Sequence, residues 1–393
     1  MPTEAPISIY IHIPWCRSRC GYCDFNTYVL PESERRQTQD PYLQALVAEL
    51  RASANRATNQ VTTVYFGGGT PTLMDSADYA LILDTIADLY DLADDAEITT
   101  EANPETLTPA HCEQIRATGV NRLSMGMQSA SERVLRTLDR PHTLGRVRKA
   151  VGWARQAGFE NLSLDLIYGT PGETMEDWLV CLDEAIDLQV EHISAYSLIV
   201  EENTPLARRI AAHEVDDVDE DDVADKYICA DERLSAAGFE WYEVSNWARP
   251  GYECRHNLAY WHCDSWLGIG AGAHSYDGRY RWWNPRHPLT YVSEINSRTT
   301  PAKASDRSDL IPATPSDSTE NREELTETQI RMEKVMLGLR LVEGVEADLL
   351  TESELKRVDP YLESGHLVRR GSSLACTLQG RLIADGIVRE ILD

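Results

Sequence analysis

Cys16, Cys20 and Cys23 follow directly on an alternating apolar stretch (Ile7, Ile9, Ile11, Ile13), and their C-x-x-x-C-x-x-C spacing wraps three corners of an iron–sulfur cube. Three thiolates on a 4Fe–4S cluster leave the fourth iron without a protein ligand, so that it can bind a substrate or cofactor as well as pass electrons. Two other readings of the same residues are buried apolar packing and half of a zinc site.

Other segments carry side chains of matching chemistry. In the first strand the isoleucines share one face, so Tyr10 and His12 share the other and point inward; Tyr10 is then aimed at whatever occupies the open iron. Tyr22 offers an aromatic face between Cys20 and Cys23. Gly67, Gly68 and Gly69, followed by Thr70 and Pro71, come after a second strand and let backbone approach a ligand closely. Glu101 and Asn103 end a third strand, Gln128 ends a fourth and Asp165 lies within a fifth. Polar groups on apolar strands need partners, and a ligand with ribose hydroxyls or an amine would supply them, as would a buried network between strands. Arg140, in LDRPH, has the fork that holds a carboxylate bidentately.

These residues need a scaffold. From Ile7 to about Gly238, strand-like runs alternate with helical ones, the pattern of parallel strands joined by crossovers. The strands are read at Ser8–Ile13, Val61–Phe66, Glu97–Glu101, Arg122–Met127, Ser163–Ile167 and His192–Ile199, and the helices at Tyr42–Ala52, Tyr79–Leu89, Pro109–Thr118, Leu144–Gln156, Glu176–Leu188 and Asp221–Ala237. The expected fold class is α/β, a partial (β/α)6 TIM-like barrel over 1–238, with ligands at the C-terminal ends of the strands. Residues 239–298, rich in aromatics, Gly and His, read as a barrel extension of loops and short strands, and 299–325, rich in Ser, Thr, Pro and charge, as a flexible linker. Residues 326–393 form a small, mainly helical, winged-helix-like domain.

The net charge of −27 over 393 residues and the lack of a basic stripe exclude nucleic acid as the main partner. No stretch reaches the roughly 18 apolar residues of a membrane span, and MPTEAPISIY lacks the features of a signal peptide. A cytoplasmic protein is expected, with peripheral membrane contact left open. Nine cysteines, three at metal spacing, fit a reducing compartment.

With these residues assembled, the chain resembles the radical S-adenosylmethionine superfamily and, within it, the anaerobic coproporphyrinogen III oxidase-like family that includes the HemW-type heme chaperones. The likeness runs from IYIHIPWC to the C-terminal domain. It implies that Cys16, Cys20 and Cys23 bind a 4Fe–4S cluster whose open iron is chelated by S-adenosylmethionine, which one electron cleaves to methionine and a 5′-deoxyadenosyl radical. It also implies a cofactor pocket of Tyr10, Tyr22, Gly67, Gly68, Gly69, Thr70, Glu101, Gln128, Arg140 and Asp165, with Ile199 on the adenine side. The oxidases carry a further cysteine two residues after the third; here that place is Phe25. They are also expected to have an additional N-terminal segment, whereas this sequence enters its first strand within ten residues.

His256, Asn257, Leu258, Ala259, Tyr260 and Trp261 match the H-N-x-x-Y-W motif of the chaperone branch. The resemblance thus implies binding of heme and its delivery to an acceptor hemoprotein, such as a respiratory one. Oxygen-independent coproporphyrinogen oxidation, a step of porphyrin biosynthesis, is the alternative that Phe25 disfavours, and whether the chain is an enzyme stays open. His256 is a candidate axial ligand of heme, with Tyr260 and Trp261 against the porphyrin. An ordinary hydrogen-bond network, or a metal site with Cys254, His262 and Cys263, would use the same histidine. Cys112, Cys181, Cys229 and Cys376 read as packing residues. Flavodoxin or ferredoxin is the implied electron donor if the cofactor is cleaved, and the protein is expected to be a monomer or homodimer.

Overall fold

The computed structural model describes residues 6–54, 60–299 and 321–393. Six parallel strands lie side by side in chain order: β1 (Ile7–Ile13), β2 (Val61–Gly68), β3 (Leu92–Ala102), β4 (Arg122–Gln128), β5 (Asn161–Tyr168) and β6 (His192–Ser197). Between them run α1 (Glu32–Ser53), α2 (Ser76–Leu89), α3 (Pro109–Ala117), α4 (Glu132–Thr137), α5 (Leu144–Gln156) and α6 (Met175–Asp187); α7 (Pro205–Ala211) and α8 (Glu220–Ala236) follow β6. Ile9, Ile11 and Ile13 of β1 join Tyr42, Leu46 and Leu50 of α1 in one core. The other face of the sheet carries Tyr10, Tyr65, Glu101, Ser124, Asp165 and Ser194. The strands therefore alternate, because only their helix-covered face is apolar.

The barrel strands expected from sequence are all present, most of them a little longer than read. One helix differs more. It is α1, which starts ten residues before Tyr42 and carries Pro41 inside it, since a single proline removes one backbone bond that packing of the flanking turns outweighs. The strand expected to reach Ile199 stops at Ser197.

The stretch read as loops and short strands widens the sheet. Beyond β6 come β8 (Asn246–Ala248), antiparallel to it, and β7 (Glu240–Glu243), antiparallel to β8, and beyond β1 comes β9 (Ser265–Ile269), parallel to it. Next are antiparallel β10 (His274–Tyr276), β11 (Tyr280–Trp283) and β12 (Arg322–Glu324). The order across the sheet is β12-β11-β10-β9-β1-β2-β3-β4-β5-β6-β8-β7. A further helix, α9 (Arg255–Trp261), stands where loops were expected, and α10 (Pro288–Thr299) packs on α1. Of the expected linker, residues 300–320 lie outside the described residues, and Arg322–Glu324 is not linker but β12, paired along β11.

The C-terminal segment runs α11 (Glu327–Gly338), β13 (Val345–Glu346), α12 (Glu352–Glu363), β14 (Leu367–Arg370), β15 (Ser373–Cys376), α13 (Leu378–Leu382) and α14 (Ala384–Leu392). Its three antiparallel strands and three longer helices enclose a separate core around Val335, Val358, Leu374 and Ile391. Arg381 fastens it to the barrel, lying 3.7 Å over the Trp241 ring and bonding Asp231 at 2.7 Å.

One hydroxyl links the parts that aim the cysteine loop. Tyr42, 1% exposed, donates to the His12 carbonyl at 2.9 Å and accepts from the Ala271 N–H at 2.8 Å. Gly270 beside it has φ +107°, and a Cβ there would meet the Tyr42 hydroxyl at 2.7 Å. Tyr42→Phe leaves a buried carbonyl and a buried N–H unpaired, so it should cost about 1–3 kcal/mol, seen as a lower denaturant midpoint with an unchanged slope.

Candidate iron–sulfur and cofactor site

The cysteine loop leaves the C-terminal end of β1 and is pinned by backbone bonds from several elements. Gly69 and Thr70 donate to the carbonyls of Ile13 and Trp15, both at 2.8 Å, Gly21 donates to Leu138 at 3.1 Å, and Leu206 donates to Gly21 at 2.8 Å. Two of the sulfurs have side-chain donors: Thr70 Oγ1 lies 3.7 Å from Cys16 Sγ and Arg140 Nη1 lies 3.1 Å from Cys20 Sγ. Asn103 ties these together, giving an N–H to Thr70 Oγ1 at 2.9 Å and accepting from Arg140 Nη2 at 2.6 Å. Burial pushes the Cys16 thiol up to about 11 and raises that of Cys23, so a positive metal centre is what would hold them as thiolates.

All three cysteines line a single cavity of about 400 Å³ at the C-terminal ends of the strands. Tyr22, Gly68, Gly69, Glu101, Gln128, Arg140, Asp165 and Ile199 line it as well. Among the described residues, no three His, Cys, Asp or Glu converge as they would on one metal ion. A cube places its thiolates on different irons and does not need that convergence. Three thiols on one loop, two already facing N–H or O–H donors, fit it.

Four expected residues sit elsewhere. Tyr10 does not line the cavity; its hydroxyl meets His12 Nδ1 at 3.1 Å and its ring stacks on Tyr65, 6.2 Å between centroids. Thr70 lies behind Cys16. Gly67 is also outside the cavity lining, and what presses on the three glycines is protein: a Cβ at Gly67 would meet the Tyr10 and Tyr65 rings at 2.9 Å, at Gly68 the His12 ring at 2.5 Å, and at Gly69 the Trp15 carbonyl at 2.5 Å. The loop is glycine-rich so that it can seat against the end of β1, and only Gly68 and Gly69 face the cavity.

His256 is the fourth. It lies on α9, is 1% exposed, and has both ring nitrogens engaged, Nδ1 with Thr63 Oγ1 at 2.7 Å and Nε2 with the Tyr260 hydroxyl at 2.9 Å. Its ring stacks on Tyr65 at 5.0 Å, and burial pushes it down to about 3. An axial bond to heme iron would require one of these bonds to break. Cys254 gives its thiol to Glu97 and His262 pairs with Glu343, and among the described residues these side chains do not converge with others as a metal site.

Glu101 accepts from the Tyr65 hydroxyl at 2.9 Å and the Gly68 N–H at 3.1 Å; burial, with Asp165 nearby, pushes it up to about 7. Asp165, also raised by burial, accepts from Ser124 at 3.0 Å and from Ser194. Gln128 adopts φ +62° where the pairing of β4 with β5 shifts register, which turns its amide across Gly126 toward Arg140. Ile199, 67% exposed, lies past the end of β6 at the cavity rim. The sequence reading passed over Arg122, Ser124, Ser194 and Tyr196 on the lining; their alternation along β4 and β6 was the available signal.

Known proteins bear on this site. The Radical SAM superfamily pattern matches residues 10–185. The chain is 45% identical over its whole length to the heme chaperone HemW of Mycobacterium tuberculosis, covering 96% of that protein. The chain belongs to the HemW family of the radical SAM superfamily. The HemW of Escherichia coli is 39% identical over 293 residues, 73% of this chain and 76% of that one, and the HemW of Bacillus subtilis 32% identical over 390 residues, 97% of each. Coproporphyrinogen III oxidase (HemN) from Escherichia coli shares the fold with a TM-score of 0.81 over 99% of this chain and 90% of that one, at 23% identity.

The buried imidazole gives this HemW-family chain a pH signature. In the fold His256 stays neutral down to about pH 3, whereas in the unfolded chain it takes up a proton near its ordinary 6.5. Between these values the unfolded state binds more protons, so the contribution present above pH 6.5 is lost as the pH falls. His256→Gln removes that loss. Its stability relative to the parent should improve by about 1 kcal/mol per pH unit between roughly pH 6 and 4, and denaturation curves that stay parallel across this range would contradict it.

Proposed function

We propose that this chain binds heme and passes it to an acceptor hemoprotein, with a 4Fe–4S cluster on Cys16, Cys20 and Cys23 and S-adenosylmethionine in the cavity beside it. The observation that carries the chaperone side is Phe25. It stands where the oxidases have their further cysteine, lines the cavity mouth and is 64% exposed. With Ile199 it makes an apolar rim suited to a porphyrin face rather than a thiol-lined one. The full-length likeness to proteins named heme chaperone supports the same reading. No described helix is long and apolar enough to cross a membrane.

When bound, the cluster with its open iron supplies one-electron chemistry to the sulfonium cofactor. The chain's own residues do the holding. Thr70 and Arg140 orient two sulfurs through the Asn103 bridge. Arg140, on the cavity lining, brings a buried positive charge that suits the cofactor carboxylate. Glu101, Gln128 and Asp165 offer acceptors and an amide for ribose hydroxyls and an amine, and Tyr22 covers the cluster side.

Anaerobically reconstituted protein with reductant and S-adenosylmethionine should give a stable heme spectrum and leave coproporphyrinogen undecarboxylated; turnover to decarboxylated porphyrin would favour the oxidase instead. Cys20→Ala should lose iron and sulfide while Cys112→Ala keeps them. Phe25→Asp should weaken heme binding about tenfold or more, since it places a charge on the apolar rim, and leave the iron content unchanged.

A further inference from the structure

The cavity has a second charged feature away from the cysteines. Arg122 opens β4 on the same inner face as Ser124 and Gly126. Four residues of strand, about 13 Å, separate it from Gly126, whose carbonyl accepts from Arg140. Arg122 is 2% exposed and its Nε is buried without a hydrogen-bond partner. Among the described residues the guanidinium makes no hydrogen bond and no ion pair within 4.0 Å, yet it lines the cavity.

Buried guanidinium groups are ordinarily held by carboxylates, because an unpaired one keeps its full desolvation cost. The acids around Arg122 face other donors. Glu97 accepts the N–H groups of Arg255 and His256, both at 3.1 Å, and the Cys254 thiol, so it serves the first turn of α9. Asp165 is held by Ser124 and Ser194. Uncharged donors complete the surroundings, with Ser124, Ser194, Tyr196 and Asn257 on the same lining. A planar fork open to a cavity matches the two oxygens of a carboxylate, and the nearby Glu97 and Asp165 disfavour a doubly charged phosphate.

We infer that Arg122 and these neighbours form a carboxylate subsite at the floor of the cavity, for a ligand other than the S-adenosylmethionine proposed at the cysteine end. The subsite stands whether or not heme is the cargo, because it rests on the unpaired guanidinium and not on Phe25.

The probe is propionate, the simplest carboxylate with a short alkyl arm, with propionamide as its uncharged counterpart, added to cluster-loaded full-length protein saturated with S-adenosylmethionine. Propionate should raise the melting temperature and an equal concentration of propionamide should not. Arg122→Gln should abolish the difference between the two probes while its affinity for S-adenosylmethionine stays within threefold of the parent. Should that variant fail to fold, Arg122→Lys keeps the charge without the fork and should bind propionate about tenfold more weakly. Equal responses to propionate and propionamide in the parent, or parent-like propionate binding in Arg122→Lys, would overturn the subsite. A large loss of S-adenosylmethionine affinity in Arg122→Gln would assign the guanidinium to that cofactor instead.

Discussion

Everything about this protein follows from curling a parallel sheet around a polar interior. The strands are buried on both faces, but only the outer one meets helices; the inner one carries hydroxyls, carboxylates, imidazoles and the Arg122 guanidinium, with Arg140 reaching in from the loop after α4, and water barely reaches them. Each such group must find a partner or carry a desolvation cost. Most find one, as Glu101 does in Tyr65 and Gly68, and His256 in Thr63 and Tyr260. Glu101 and His256 are thereby each held at two points. Arg140 and Arg122, whose Nε atoms are buried without a partner, both lie on the cavity.

The scaffold was readable because period-two alternation and helical periodicity each produce a long, repeated signal. α5 was expected at the residues it occupies, and the strands bearing Glu101, Gln128 and Asp165 lie where the apolar runs placed them. Errors came where one local cue was set against tertiary packing. The first helix was expected to begin at Tyr42, yet the turn before Pro41 is helical too and docks on α2 through Gln39, which donates to Asp78 at 2.6 Å. The aromatic segment after Phe239 has no long period, so α9, only seven residues long, left no pattern to detect.

Site residues were legible by type and less so by orientation. Sequence could place a histidine or a glycine triplet near the chemistry, but not say which neighbour each would face. The glycines face Tyr10, His12 and Trp15, and Tyr10 faces His12. What distinguishes a ligand-facing group from a strut is the number of protein partners it already has, and that is set by residues far apart in the chain: His256 by Thr63, Arg140 by Asn103 and Cys20.

The two ends of the sheet have a consequence for solubility. A parallel sheet that stays unclosed offers, at each margin, a row of free N–H and C=O groups on which another chain could build. Here both margins are antiparallel strands of three and four residues. β12 reads Arg-Glu-Glu, and β7 is screened by the C-terminal domain, where Val342 donates to the Tyr242 carbonyl at 2.9 Å. The long templating strands stay inside the sheet, so an unclosed barrel is kept from polymerising edge to edge.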